Sequence, residues 1–567
     1  MEETSHRLTR REFLAGAAAG AATIAAGGLA TRAEGATVPS AVATEGSWIE
    51  AGIPELQAMM ASGELTSRDL TNIYLARIAE IDPVLHSVIE TNPQALSIAG
   101  QRDRERRAGE VRGPLHGIPI LLKDNIATDD RMQTTAGSLA LVGSKVPADA
   151  PLVARLRQAG AVVLGKANLS EWANFRGGRE DGIFINGWSA RGGFTRNPYV
   201  LDFDPCGSSS GSAVAPAANL CAAAVGTETD GSIVCPAGNN LVVGLKPTVG
   251  LISQQGIIPI AHSQDTAGPM ARTVTDAAIL LNSMVTPFGR VAGSRLPSDY
   301  TVFLQRGALN GARIGIDRRQ FLPEYFALPE LNAVVEQAIE VMASLGAVIV
   351  DPVDTGDTYA WFDHEFTVLL YEFKVDIANY LSTLSRTRMR TLADLIAFNL
   401  EHCDEEMTYL DQFIFELAEA TSGDLNDPVY REARSVCLQL ARDEGIRRVM
   451  REHNLDAVVS PSYAFGSSAP AVAGFPSISV PVGIATTGWP AGIWMYAGFL
   501  EEHKLLAYSY DLEQEIQPRI QPTFLSQVPD PPPPLGICDD AASTTTLTRT
   551  GRAIHPGTGR PVRDRSS

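Results

Sequence analysis

Cysteine, histidine and positive charge are all scarce in this sequence, and each shortage removes a class of function. Six cysteines, Cys206, Cys221, Cys235, Cys403, Cys437 and Cys538, are spread through 567 residues. They are too sparse for a disulfide framework and form no CxxC pair at metal-site spacing, so they read as mostly buried thiols. Nine scattered histidines include no HExxH. That leaves a zinc hydrolase little support, and no metal or cofactor is expected. Lysine and arginine number 46 against 65 aspartates and glutamates, a net charge of −19. A chain so acidic would have to overcome its own repulsion to grip nucleic acid or an anionic lipid surface, and neither is expected as a partner.

Bulky apolar runs are missing as well. The run AGAAAGAATIAAGGLA that follows Phe13 and Leu14 is short, interrupted by glycine and poor in the large side chains of a membrane span. Just before it stands Thr9-Arg10-Arg11-Glu12-Phe13-Leu14, a twin-arginine pattern. Residues 1–43 therefore read as an export signal, cleaved after Ala41-Val42-Ala43 or at less regular sites between Ala30 and Ala36. The expected location is periplasmic or secreted, with the twin-arginine export machinery as a transient partner. Residues 1–43 hold four arginines and four glutamates, so the mature chain stays acidic. This route carries proteins already folded in the reducing cytoplasm, which suits a fold that needs no disulfides.

What is present is a core. Hydrophobic residues make up 45% of the chain, enough for a large globular domain. PELQAMMASGELTSRDLTNIYLARIAEI spaces its apolar residues for two helices, with Gly63 as a stop and Thr66 or Ser67 as the cap of the second. Short apolar runs at Gly117 to Leu122 and Ala161 to Leu164 alternate with helical stretches such as Pro151 to Gly160, the rhythm of an α/β domain. Residues 212–224 are small and helical in pattern, with Pro216 arguing for a start or kink. Residues 326–455 are dominated by helical periodicity and read as a helical cover. Strand patterns return at Asp456 to Ser460 and Ser477 to Val480. The expectation is one domain over 44–526 with a central twisted mixed sheet flanked by helices, followed by a disordered Pro, Ser and Thr-rich tail over 527–567.

The densest chemistry lies in CGSSSGS (206–212) and TETDGSIVCP (227–236). Glycines there permit tight or positive-φ backbone, and a serine beside Gly231 can sit where backbone N–H groups converge on an anion. By itself a Gly/Ser-rich loop is an ordinary turn. The whole stretch GSSSGSAVAPAANLCAAAVGTETDGSIVCPAGNNLVVGLKPTVGLIS, however, resembles the amidase signature, and GIPILLKDNI resembles that family's upstream lysine motif. GIIPIAHSQDTAGPMARTVTDAA and AGFPSISVPVG extend the resemblance across nearly the whole mature chain. TETDGS, SQDTAGPMAR and the YEFK at Tyr371 to Lys374 are most similar to the bacterial peptide amidase branch.

The resemblance implies the amidase signature fold and a Ser-Ser-Lys mechanism without cofactor. The family's lysine falls on Lys123, its bridging serine on Ser208 and its nucleophile on Ser232. It also implies a cis peptide bond at Gly207-Ser208 and an oxyanion hole of backbone N–H groups from Thr229, Asp230, Gly231 and Ser232. One departure stands out: many members have Gly-Gly before the nucleophile, and this chain has Asp230-Gly231. A serine hydroxyl needs a base, and a lysine serves only when neutral, so Lys123 must be buried at the end of its apolar run. Lys246 in GLKPT is assigned a structural role. GSSSG also satisfies GxSxG, with Ser209 as the elbow nucleophile, but DFDPC before it is a poor strand. His262 and Asp265, three apart, read as a capped turn, and His262 as a loop or core residue. The substrate implied is a small-molecule or peptide amide, above all a C-terminal peptide amide. The rivals are a broad aliphatic or aryl amidase, the glutaminase subunit of a transamidation complex, and a catalytically silent binding protein.

Overall fold

The computed structural model describes residues 46–179, 185–463 and 465–538. The expected signal segment, 1–43, lies outside the described residues. One mixed sheet of eleven strands forms the centre. Its first strands are β1 (Val88–Thr91), β2 (Pro119–Lys123) and β3 (Val162–Ala167). A separate two-stranded ribbon, β4 (Trp188–Ser189) with β5 (Gly193–Phe194), interrupts the chain order. The sheet resumes with β6 (Ala223–Glu228), β7 (Val243–Lys246), β8 (Thr266–Ala271), β9 (Arg313–Asp317) and β10 (Val348–Val353). It ends with β11 (Ala457–Pro461), β12 (Ser477–Ile484) and β13 (Pro490–Tyr496). Across the sheet the order is β1, β3, β2, β6, β8, β7, β12, β13, β11, β9, β10.

The strands near the middle are buried along their whole length. That is why the stretches up to Leu122 and Leu164 read as continuous apolar runs rather than alternating ones. β2 pairs in parallel with both β3 and β6, and β6 pairs antiparallel with β8, Glu228 facing Thr266. The ends of β2 and β6 and the beginning of β8 thus share one edge. Open α/β sheets place their sites beyond the carboxyl ends of parallel strands.

The helices follow the sequence signals closely. Ile53–Ser62 stops at Gly63 (φ 81°), and Ser67–Leu85 opens on a capping box between Thr66 and Asp69. Pro151–Gln158 starts with its proline in the first turn. The small-residue helix spans Ser210–Ala217, so Pro216 lies in its last turn rather than at a start. The 326–455 segment is mainly helical, but Val348–Val353 leaves it to become the edge strand β10. Tyr359–Thr383, Leu392–Glu401 and Phe413–Glu419 pack Phe373, Leu381, Leu395 and Phe415 against Leu141, Leu169, Trp172 and Ile260. This cover closes over the segments that follow β2 and β3.

Two expectations are corrected. Four cysteines are paired, Cys206 with Cys235 and Cys403 with Cys538, and only Cys221 and Cys437 remain buried thiols. The partners are 29 and 135 residues apart in sequence, yet the fold brings their Cα atoms to 5.9 and 5.5 Å, a separation that suits a disulfide. The first part of the tail is the second correction, its remainder, 539–567, lying outside the described residues. Residues 527–538 lie along the domain: Arg196 donates to Pro529 O (3.2 Å), Arg179 to Pro533 O (3.0 Å) and Leu535 N to Thr408 O (2.8 Å). Backbone acceptors and one covalent bond hold this strap, so it needed no apolar periodicity to be placed.

Candidate active site

Lys123 is the last residue of β2 and is wholly buried. Its Nζ donates to Ser208 Oγ at 2.7 Å, Ser209 Oγ at 2.9 Å and Thr227 O at 3.1 Å. Burial pushes the amine down to about 7, against the opposing pull of Glu228 and Asp265. A lysine in that range shifts readily between ammonium and free amine near neutral pH.

Ser208 follows a cis Gly207-Ser208 peptide bond and is itself wholly buried. Its segment then turns at once into the Ser210–Ala217 helix, which passes close to neighbouring backbone. A Cβ on Gly211 would stand 2.2 Å from Ser87 O and 2.6 Å from Asn168 O, so only glycine fits there. Ser209 Oγ is already committed, donating to Thr227 O at 3.0 Å and accepting from Thr227 N at 3.2 Å. No strand leads into it, and the GxSxG elbow therefore lacks its first half.

The second serine segment leaves the end of β6. Gly231 has φ 74°, where a side chain would be strained, and Ser232 is 8% exposed. Ser232 O accepts from Ser209 N at 3.1 Å, which joins the two serine segments directly. Buried carboxyls fix the loop from beneath. Glu228 accepts from Ile233 N (2.7 Å) and Val234 N (3.0 Å), and Asp265 accepts from Thr229 Oγ1 (2.6 Å). Asp265 also takes Ile260 N and Ala261 N at 2.9 and 3.0 Å. Among the described residues, no backbone carbonyl or side chain takes a hydrogen bond from the N–H of Thr229, Asp230 or Ser232, while that of Gly231 faces Glu228. Such a run of uncommitted donors can receive an oxyanion.

Asp230, the departure from Gly-Gly, turns its carboxyl to Ser467 Oγ at 2.6 Å. Beside it, Glu365 accepts from Gln264 Nε2 (2.8 Å) and Ser468 Oγ (3.0 Å). Burial raises Asp230 to about 7 and Glu365 to about 8, each helped by a nearby carboxyl. Ser467, Ser468 and Glu365 carried no motif signal, because each reaches the loop from a distant segment; Gln264 lies within SQDTAGPMAR, but nothing in that stretch assigned it a partner.

The remaining candidates sort by their partners. Lys246 ends β7, is wholly buried, and donates to Phe475 O at 2.5 Å and Pro247 O at 3.5 Å. His262 lies on a loop but not in the core, its side chain 52% exposed and its Nδ1 2.8 Å from Asp376. That hydrogen bond is the main reason its pKa rises to about 9. Among the described residues, His262, Glu372 and Asp376 are the one trio close enough for a metal ion. Asp376 also takes His262 N (2.9 Å), and Glu372 takes Ser263 N (2.9 Å) and Tyr430 OH (2.7 Å). The trio is accounted for as an imidazolium held by two carboxylates.

The chain is similar to known proteins over most of its length. The family model for amidases matches residues 69–469. A probable amidase of Arabidopsis thaliana is 40% identical over 496 residues, covering 84% of this chain and 92% of its own. A glutamyl-tRNA(Gln) amidotransferase subunit of Halorhodospira halophila is 34% identical over 483 residues, with 82% and 96% covered. The crystal structure of the peptide amidase from Stenotrophomonas maltophilia superposes with a TM-score of 0.79 at 50% identity, over 85% of this chain and all of that one. With a wholly buried lysine against a serine at one edge of the sheet and a match that spans most of the sequence, the chain belongs to the amidase family and is an amide-hydrolysing enzyme.

Proposed function

We propose that this enzyme releases ammonia from C-terminal peptide amides through an acyl-enzyme on Ser232. The observation that carries the chemistry is the 2.7 Å contact between a wholly buried Lys123 and Ser208. Neutral Lys123 accepts a proton through Ser208 as Ser232 Oγ attacks the amide carbonyl, and the N–H groups of Thr229, Asp230 and Ser232 receive the oxyanion, that of Gly231 being held by Glu228. Ser208 returns the proton to the departing nitrogen, which leaves as ammonia. Water, deprotonated by the same relay, then attacks the ester and frees Ser232 and the carboxylate.

Two features support the peptide amide: the TETDGS and SQDTAGPMAR wording, and the 50% identity to a solved peptide amidase. A primary amide has a small leaving group, whereas an internal bond needs room for chain on both sides of the carbonyl. The test is mass spectrometry of an amidated peptide after incubation. A gain of about one mass unit with an intact backbone supports the reading, since nitrogen is replaced by oxygen. Turnover only of anilides, fatty amides or glutamine would overturn the substrate and leave the Ser232 chemistry in place. The twin-arginine pattern supports export, to a compartment where the two disulfides would persist once closed. Replacing Arg10 and Arg11 by lysine should leave activity intact and the enzyme inside the cell; unchanged export refutes the assignment.

A further inference from the structure

We propose that the disulfide between Cys206 and Cys235 is a positioning element of the catalytic site, holding the relay serine in register with the nucleophile. The inference rests on the roles given above to Ser208 and Ser232. Only Gly207 separates Cys206 from Ser208, and Cys235 stands three residues after Ser232. Cys235 N donates to Gly231 O at 2.9 Å, so its turn of chain is the turn that carries Ser232. The bond therefore runs from the backbone that sets Ser208 to the backbone that sets Ser232.

The conformation of Cys206 gives a second reason. Its φ is 54°, a left-handed backbone that a non-glycine residue keeps only where its surroundings impose it. Asp204 holds its N–H at 2.8 Å, Ser210 Oγ holds its carbonyl at 2.5 Å, and the disulfide holds its side chain. A shift at Cys206 passes through one glycine to Ser208, whose Oγ must stay within reach of Lys123.

Other ties between the two segments are hydrogen bonds. Ser209 N reaches Ser232 O (3.1 Å), Asn239 Nδ2 reaches Asp204 O (3.0 Å) and Asn240 Nδ2 reaches Pro205 O (2.8 Å). They keep the segments together when the disulfide opens, so the consequence is loosened geometry with the fold retained. Both cysteines are half-buried, within reach of a small dithiol. Reduction passes two electrons and two protons from the dithiol to the cystine, leaving two thiols and a cyclic disulfide. Closure in the cell requires the reverse exchange with a disulfide-bearing oxidant.

The experiment uses the full oxidised chain and an amidated peptide that it hydrolyses, reading ammonia. Cys206→Ser with Cys235→Ser should lower kcat between about tenfold and a hundredfold and leave KM within about twofold, because misplacement by an ångström costs rate more than binding. Dithiothreitol should bring the wild type to the same level and leave the double variant unaffected. Cys403→Ser with Cys538→Ser, which opens the tail strap, should keep kcat. A folded Cys206/Cys235 variant with wild-type kcat overturns the proposal, as does an equal fall in the strap variant. Should the double variant not fold, kcat of the wild type is followed against the fraction of Cys206–Cys235 reduced, mapped by alkylation and mass spectrometry; a flat line overturns it. Wild-type activity in Ser232→Ala would instead sink the functional reading, whatever the thiols do.

Discussion

Lys123 and Lys246 end two strands of one sheet, both are wholly buried, and burial lowers their amines to about 7 and about 8. Titration alone does not tell them apart. Their neighbours do. Lys123 faces the hydroxyls of Ser208 and Ser209, which can pass a proton onward. Lys246 faces the carbonyl oxygens of Phe475 and Pro247, which have no proton to give, with Glu228 and Glu502 favouring its ammonium form. Lys166, also buried and lowered to about 8, holds Ile126 O at 2.6 Å and Thr134 Oγ1 at 2.9 Å. Thr134 directs its own proton back at Ile126 O (3.5 Å), whereas the hydroxyls facing Lys123 belong to a segment tied to the Ser232 loop. A depressed lysine marks burial; a function as base requires a proton-carrying partner that leads to the reacting group.

The largest expected effects break this comparison directly. Ser232→Ala should lower kcat by about ten-thousand-fold or more with substrate binding preserved, since the covalent step is lost and the pocket hardly changes. Lys123→Ala should cost at least about a thousandfold. Lys246→Met should keep kcat within about tenfold and lose about 1–3 kcal/mol of stability in urea, because Phe475 O is left without its donor. If folded Lys246→Met were as inactive as Lys123→Ala, partner chemistry would not be what separates the two lysines.

The next effect is on pH. The relay needs neutral Lys123, so kcat/KM should fall about tenfold per unit below a pKa near 7 and level off above it. Burial, with Glu228 nearby, also raises Asp230 to about 7 in the same loop. Asp230→Asn separates the two: an acid limb that survives it belongs to the lysine, and one that disappears belongs to the carboxyl. Ser209→Ala should be milder, about tenfold in kcat, because Lys123 loses one acceptor and the Thr227 backbone loses a bridge. A loss matching that of Ser232→Ala would restore Ser209 as the nucleophile.

Much of this arrangement was legible because it is local. Thr66, Gly63 and Pro151 punctuate helices within a few residues of themselves, and the apolar run before Lys123 states its own burial. The strand end of Lys123 meets the loop of Ser208 at 2.7 Å, although 85 residues separate them in sequence. The parts that stayed hidden depend on pairing between distant segments. β8 carries Gly268 and Pro269 in its interior, residues that weaken a strand pattern; it is a strand because β6 and β7 pair on either side of it. The disulfides, the Asp230 link to Ser467 and the Glu365 link to Gln264 join residues whose spacing carries no signal.

His262 shows the opposite shift, and its removal should have the smallest effect on catalysis. The carboxylate of Asp376 raises the imidazole to about 9, whereas desolvation brings Lys123 down. At neutral pH His262 is therefore a cation with no lone pair to offer, and His262→Ala should keep kcat within about twofold. Its contribution is to stability, and the sign follows from linkage. The folded pKa lies above the unfolded value of about 6.5, so the stabilisation is fully present below pH 6.5 and is lost as pH rises towards 9. The side chain is half exposed, and salt should weaken the effect further. Urea unfolding of the wild type and His262→Ala across that range should therefore converge as pH rises. A gap that widens instead would mean that His262 is neutral in the folded protein, and a large fall in kcat would return it to the list of catalytic bases.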